Sequence, residues 1–186
     1  MGYDEVLLEN EEKMEKAVDY LKTEYRGMRT GRANPGLVEP IRVEYYGSPT
    51  PLKQLANILA PEPQLLVIKP FDPGSLGDIE KAIQKSNIGL TPQNDGKVIR
   101  LAIPPLSKER RQQLVKMAEQ SAEQQRVAIR NVRRDAKKQA DELVDSGEIP
   151  EDLYTKLKDD IENLTRTYVK QVDDLLDKKK AELLEV

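Results

Sequence analysis

Proline and glycine are distributed very unevenly along this chain of 186 residues, and their distribution limits the folds open to it. Eleven of the 12 prolines and seven of the 10 glycines lie between Gly31 and Pro105. Both residues disfavour long helices, because proline lacks a backbone donor and glycine is conformationally free. The two flanks can therefore form long uninterrupted helices, whereas the middle must fold into short elements joined by turns.

The flanks carry the apolar periodicity of three amphipathic helices, each with one apolar stripe. Ser107 is the predicted N-cap of the second helix, and Gly147 followed by Pro150 predicts its end. Helices with one apolar stripe bury it by packing together. The sequence therefore predicts a long antiparallel three-helix bundle built from residues 1–30 and 106–186. The predicted stripe residues are Leu7, Met14, Val18, Leu21, Tyr25 and Met28, then Val115, Ala118, Ala122, Gln125, Ile129, Val132, Ala136 and Leu143, and finally Leu157, Ile161, Leu164, Tyr168, Val172 and Leu175.

The middle of the chain has the pattern of a small mixed domain. IRVEYYG and KVIRLAIPP alternate apolar with polar residues, QLLVIKP is a short apolar run, and GSLGDIEKAIQKS is a short amphipathic helix. NDGK is a turn signal before the last predicted strand. We therefore predict an α+β protein in which a β/α/β domain, residues 31–105, is inserted into the bundle.

Such an insertion needs two chain crossings that lie side by side, because the helices that it interrupts pack together. The crossings fall at Thr30–Gly31 and at Pro104–Pro105. Gly31 tolerates large backbone changes, and the prolines stiffen the return segment. Gly and Pro are also common in ordinary loops, and this explains these residues about as well as a hinge does. Two short parallel connectors nevertheless make rotation between rigid bodies a mechanical possibility.

Composition argues against an enzyme. The chain has no Cys and no His, so thiol nucleophiles, imidazole bases and most transition-metal sites are excluded. Adjacent carboxylates such as Asp159 and Asp160 point in different directions on a helix, and DPGSLGD lacks the lysine and the spacing of a phosphate-binding loop. We expect no catalytic residues, no metal and no cofactor.

The sequence also indicates where the protein works. No stretch approaches the ~20 apolar residues of a membrane-spanning helix. The acidic start MGYDEVLLENEEKMEK resembles neither a secretory signal nor an arginine-rich transit peptide. We therefore expect a cytoplasmic protein without membrane contact.

A basic row stands out in a chain whose net charge is −3. Its residues are four, three and four positions apart on the second predicted helix, and therefore share one face. A solvated helix face is the ordinary interpretation of such a run. RNA-backbone binding is favoured here, because arginine binds phosphate bidentately and no acidic residue lies within positions 126–134. Stacking aromatics are lacking, so phosphate and shape would be recognised rather than bases. The row comprises Arg126, Arg130, Arg133 and Lys137, with Arg134 beside them.

A second basic group lies where the first helix meets the insert, at Arg26, Arg29 and Arg32, and Arg110 and Arg111 begin the second helix at the same end. One large nucleic-acid surface could contact both groups. Two other functions stay open on the residues alone. A coiled-coil chaperone or adaptor would bind protein clients and be insensitive to salt, and a free RNA- or tRNA-binding arm would bind isolated RNA as well as any larger assembly.

Two long motifs make the chain resemble the bacterial ribosome recycling factor family essentially from end to end. They are YRGMRTGRANPGLVEPIRVEYYGSPTPLKQLANI and PPLSKERRQQLVKMAEQSAEQQRVAIRNVRRDA. The resemblance implies an L-shaped, non-enzymatic monomer that needs no cofactor. Members bind the intersubunit space after termination and, with elongation factor G and GTP, split the ribosome, releasing mRNA and tRNA.

The resemblance also implies roles for individual residues. Arg111, Arg130 and Arg133 match arginines that contact large-subunit rRNA in the family, and Arg29 and Arg32 lie in its RTGRA motif. The hinge positions implied by the resemblance are Thr30, Gly31, Pro104 and Pro105.

Overall fold

The computed structural model describes residues 2–185, which contain helices at both ends and short strands between them. The helices are α1 (Tyr3–Gly27), α2 (Leu52–Leu55), α3 (Leu76–Lys85), α4 (Lys108–Asp145) and α5 (Glu151–Leu184). The strands are β1 (Arg42–Tyr45), β2 (Ser48–Pro51), β3 (Ala56–Glu62), β4 (Leu65–Pro70), β5 (Pro92–Asn94) and β6 (Ile99–Ala102).

The chain divides into two compact units. One contains the residues up to Met28 and those from Arg111 onward, and the other is Arg29–Arg110. The first unit holds α1, most of α4 and α5, and the second holds every strand together with α2 and α3. The predicted α+β combination of long helices and a small β-containing domain is confirmed.

Hydrogen bonds between the long helices establish their directions. Tyr25, near the end of α1, donates to the carbonyl of Ala118 of α4 at 2.7 Å. Asn10, nearer the start of α1, donates to Gln139 of α4 at 2.7 Å. The partner number falls as the α1 number rises, so α1 and α4 are antiparallel. Tyr154 of α5 donates to Asp141 at 2.6 Å and Lys180 to Glu119 at 2.8 Å. Hence α5 is also antiparallel to α4, and α1 and α5 run parallel.

The bundle core is mainly aliphatic and formed by one stripe of each helix, with Tyr25 and Tyr168 also buried. Most predicted stripe residues are buried, although seven are only partly covered: Leu7, Met28, Val115, Gln125, Val132, Leu164 and Leu175. Ala118, Ala122, Ala136 and Ala140 of α4 are fully buried, so small residues occupy much of the buried face of this helix. One cluster contains Val6, Ala136, Ala140, Leu143, Ile149, Leu157 and Ile161.

The ends of the helices follow the predicted signals. Ser107 Oγ accepts from Arg110 N at 3.1 Å, as expected of an N-cap. Gly147 has φ +77°, and its N–H donates to Val144 O at 3.1 Å while Glu148 N donates to Leu143 O at 3.0 Å. These two bonds satisfy carbonyls that the end of α4 would otherwise leave unpaired. The first helix ends at Gly27, so the predicted stripe residue Met28 lies one position beyond it. Because Gly27 is the last helical residue, it weakens the helix less than a glycine in the interior would.

The second unit is built on a four-stranded antiparallel sheet of order β3-β4-β6-β5, together with a separate β1-β2 hairpin. Strands β1, β4 and β6 and helix α3 correspond to the predicted elements, whereas β2, β3, β5 and α2 were not predicted. The unpredicted strands contain Pro49, Pro61 and Pro92, which cannot donate to a ladder and therefore suit edge positions. Proline thus concealed real strands at the edges of both sheets.

Candidate nucleic-acid interface

Helix α4 presents the basic row from a well-anchored backbone. Ile129 and Ala136 of the same helix are fully buried, which fixes the rotation of α4 about its axis. The side chains of Arg130, Arg133 and Lys137 are 44%, 36% and 41% exposed, respectively. Because one face of α4 is packed in the bundle, its partly exposed cations can meet a rigid polyanion without first ordering the backbone.

Arg126 is the most enclosed member of the row, with a side chain only 19% exposed. Its Nε and Nη2 lie 2.7 and 2.6 Å from Asp173 Oδ1 of α5, and its Nη1 lies 3.0 Å from Glu123 Oε2. Burial alone would lower the pKa of Arg126, but these two carboxylates raise it. Arg126 is therefore held as a charged link between α4 and α5.

The other members of the row also meet carboxylates. Arg130 Nη1 lies 3.2 Å from Glu123 Oε1, Arg133 Nη1 lies 3.8 Å from Glu162 Oε2, and Lys137 forms an ion pair with Glu162. Hydrogen bonds from Arg126 and Arg130 lower the pKa of Glu123, and a hydrogen bond from Lys137 lowers that of Glu162. No acidic residue lies within positions 126–134, as the sequence shows, but carboxylates outside that stretch pair with the row: Glu123 of α4 and Glu162 and Asp173 of α5.

Two arginines at this surface make no hydrogen bond or ion pair within the described residues. Arg134 is exposed and makes no hydrogen bond or ion pair within residues 2–185. Arg166 of α5 is likewise exposed without such a partner in the described part of the chain, and it lines a groove with Arg130 and Arg133. Sequence reasoning missed Arg166, because its position beside the row follows from the packing of α5 against α4.

The second predicted basic group is engaged in local contacts. Arg29 donates through Nη2 to the carbonyl of Ile88, which ties the start of the second unit to the segment after α3. Arg32 is exposed and Arg111 is partly buried, and each interacts with neighbouring groups. These side chains would therefore have to exchange existing contacts in order to bind a nucleic acid.

Gly31 of the first predicted crossing lies beside Leu106, the residue that follows the second crossing, and both belong to the second unit. Gly31 has φ +76°, and a Cβ atom placed there would lie 3.2 Å from both the backbone N and the Cγ of Leu106. Only glycine adopts this positive φ and leaves room for Leu106 without strain. Thr30 is partly buried, whereas Pro104 and Pro105 are exposed.

The described part of the chain was also searched for metal sites and for membrane-spanning helices. Residues 2–185 contain no group of three or more Asp or Glu placed to hold a metal ion. Within the same residues, no helix combines the length and the apolar character needed to cross a membrane.

Comparison with known proteins decides between the remaining interpretations. The family model described as ribosome recycling factor matches residues 21–184. This chain belongs to the ribosome recycling factor family. The ribosome-recycling factor of Carboxydothermus hydrogenoformans is 53% identical over 182 residues, covering 98% of each protein. That of Saccharopolyspora erythraea is 51% identical over 183 residues, covering 98% of this chain and 99% of the relative.

Solved structures of ribosome recycling factors share the fold. One solution structure has a TM-score of 0.82 and 40% identity, covering 100% of this chain and 99% of the other. A second, with a TM-score of 0.69 and 40% identity, covers 99% of this chain and 100% of the other. It describes the T. thermophilus ribosome recycling factor and E. coli elongation factor G bound to the E. coli post-termination complex.

Proposed function

We propose that this chain binds the intersubunit space of the ribosome after termination and, with elongation factor G and GTP, splits the ribosome into subunits, releasing mRNA and tRNA. The observation that carries the proposal is membership of the ribosome recycling factor family over nearly the whole chain. In this role the chain hydrolyses nothing, needs no cofactor and acts as a monomer in the cytoplasm.

The basic row is the proposed contact with large-subunit rRNA. Arg130, Arg133 and Lys137 stand on one helix and hold only partly exposed ion pairs, which phosphate can replace. Arg134 needs no such exchange, and Arg126 supports the surface by joining α4 to α5. The proposed rRNA-contacting residues are Arg29, Arg32, Arg111, Arg130, Arg133, Arg134 and Lys137. Arg126, predicted from the sequence to bind RNA with them, is proposed to hold the surface in place.

A light-scattering assay of ribosome dissociation tests the activity directly. We expect dissociation only when the chain, elongation factor G and GTP are all present. Arg133→Ala should keep the fold, measured by circular dichroism, and weaken ribosome binding. Absence of dissociation with the unaltered chain would overturn the proposed function. If the affinity changes neither with salt nor with Arg133→Ala, a protein-binding adaptor is favoured instead, because phosphate contacts weaken steeply as salt rises.

The insert, residues 31–105, is proposed to rotate against the bundle, residues 1–30 and 106–186, at Thr30–Gly31 and Pro104–Pro105. The left-handed backbone of Gly31 supports a specialised connection at the first crossing. The natural chain has no cysteine, so one engineered cysteine on each unit permits a selective cross-link. The cross-linked chain should bind ribosomes but fail to split them, with the uncross-linked double variant as control. Full splitting by the locked form would reject rotation.

A further inference from the structure

A groove between α4 and α5 brings together cations from both helices. The cavity has a volume of about 390 Å³ and is lined by Arg130 and Arg133 of α4 and by Arg166 and Lys170 of α5. Glu162 and Asp173 of α5 are also in its wall. The positive surface therefore extends across two helices instead of following α4 alone.

The cations of this groove differ in how firmly they are held. Lys170 is paired with Asp174 at 2.8 Å, and Arg130 with Glu123 at 3.2 Å. The Arg133 pair with Glu162 is longer, at 3.8 Å, and Arg166 makes no hydrogen bond or ion pair within residues 2–185. Arg133, with its long ion pair, and Arg166, which acts on Glu162 only through its charge, are the two cations that an incoming anion would engage at least cost.

We propose that this groove binds a backbone phosphate of RNA, with Arg133 and Arg166 as its ligands from opposite helices and Glu162 as a competing internal anion. This inference rests on the proposed binding of rRNA by the basic row and adds α5 to that site. Two guanidiniums from separate helices enclose a phosphate from two directions, which one helix face cannot do. Guanidinium is also suited to the ligand, because its planar fork matches two phosphate oxygens.

Glu162 determines how easily the phosphate enters. Its carboxylate already pairs with Lys137 and lies near Arg133, and it must give up part of these contacts when a phosphate approaches. Hydrogen bonding from Lys137 is the main reason that the pKa of Glu162 is lowered, and the charges of Arg133 and Arg166 add to the effect. The carboxylate is therefore ionised at neutral pH and competes with RNA under all ordinary conditions.

The test measures binding of the full chain to whole ribosomes at several salt concentrations. Arg166→Gln should weaken binding roughly 5- to 30-fold and reduce the salt slope by about one, as expected for loss of one phosphate contact. Lys178→Gln removes the same charge from an exposed position of α5 outside the groove, and should change affinity less than about 2-fold. Circular dichroism and a urea melt establish that both variants fold.

Neutralising the competitor should have the opposite effect. Glu162→Gln should strengthen binding roughly 2- to 5-fold, whereas Glu12→Gln, which makes the same charge change on an exposed part of α1, should not. If Arg166→Gln and Lys178→Gln behave alike, or if Glu162→Gln binds no better than Glu12→Gln, the groove inference is overturned while the proposed function stands. If the unaltered chain does not bind ribosomes at all, the proposed function itself fails.

Discussion

Two arginines of the same row should respond in opposite ways to truncation. Arg126 has a side chain 19% exposed and hydrogen bonds to both Asp173 and Glu123, whereas Arg134 is exposed and makes no hydrogen bond or ion pair within the described residues. We therefore expect Arg126→Ala to lower stability and Arg134→Ala to lower ribosome affinity. The two variants remove the same charge from the same helix, so each serves as the control for the other.

The magnitude follows from the contacts of each side chain. Arg126→Ala removes three charge-assisted contacts and the packing of a mostly covered aliphatic stem. Asp173 and Glu123 are about half exposed, so water solvates them after the loss. The free energy of unfolding should therefore fall by about 1–2 kcal/mol rather than by the 3–5 kcal/mol typical of a fully buried pair. Arg134→Ala should change it by less than about 0.5 kcal/mol.

Urea unfolding followed by circular dichroism, together with ribosome binding over a range of salt, measures both quantities. For Arg134→Ala we expect weaker binding and a salt slope smaller by about one, since one phosphate contact is lost. Arg126→Ala should bind with little change of slope once conditions keep it folded. The reasoning is refuted if Arg126→Ala has unaltered stability but loses a phosphate contact, while Arg134→Ala affects neither quantity.

Further perturbations test the fold. Gly31→Ala should destabilise the second unit by about 1–2 kcal/mol in urea melts, because alanine disfavours φ +76° and its Cβ would crowd Leu106. Asn10→Ala should cost about 1–3 kcal/mol, since Asn10 is fully buried and links α1 to α4; an unchanged melt would contradict this. Burial raises the pKa of Tyr25 and Tyr168 to about 12 from 10.0, so their contribution to stability is complete below pH ~10 and is lost as pH rises towards 12. Tyr25→Phe should therefore flatten the decline of stability with pH over that interval.

The helices were predictable because their signals are local and repeated. Apolar spacing, the cap at Ser107 and the turn at Gly147 each act within a few residues, and the structure contains all three features. The edge strands β2, β3 and β5 were missed for the converse reason. Their prolines oppose strand formation locally, and only pairing with a distant neighbour reveals that an edge position tolerates them.

The basic row shows a different limit of sequence reasoning. Its spacing on α4 was predictable, because four- and three-residue steps place side chains on one helical face. Its partners Glu162 and Asp173 lie far along the chain, and their pairing depends on the register of α5 against α4. The same register brings Arg166 to the row. Knowledge of one helix therefore predicts where charge is located, whereas packing of two helices determines which charges remain available.

This internal pairing is compatible with the proposed RNA-binding surface on a chain of net charge −3. Each paired cation that engages a phosphate must first release a carboxylate, so the net gain for one contact is only the difference between two similar ion pairs. A ligand offering one or two phosphates gains little from such exchanges. An extended, rigid RNA surface gains from several contacts at once while losing orientational freedom only once. We therefore expect the carboxylates of Glu123, Glu162 and Asp173 to make the proposed surface bind a large RNA assembly more tightly than short free RNA.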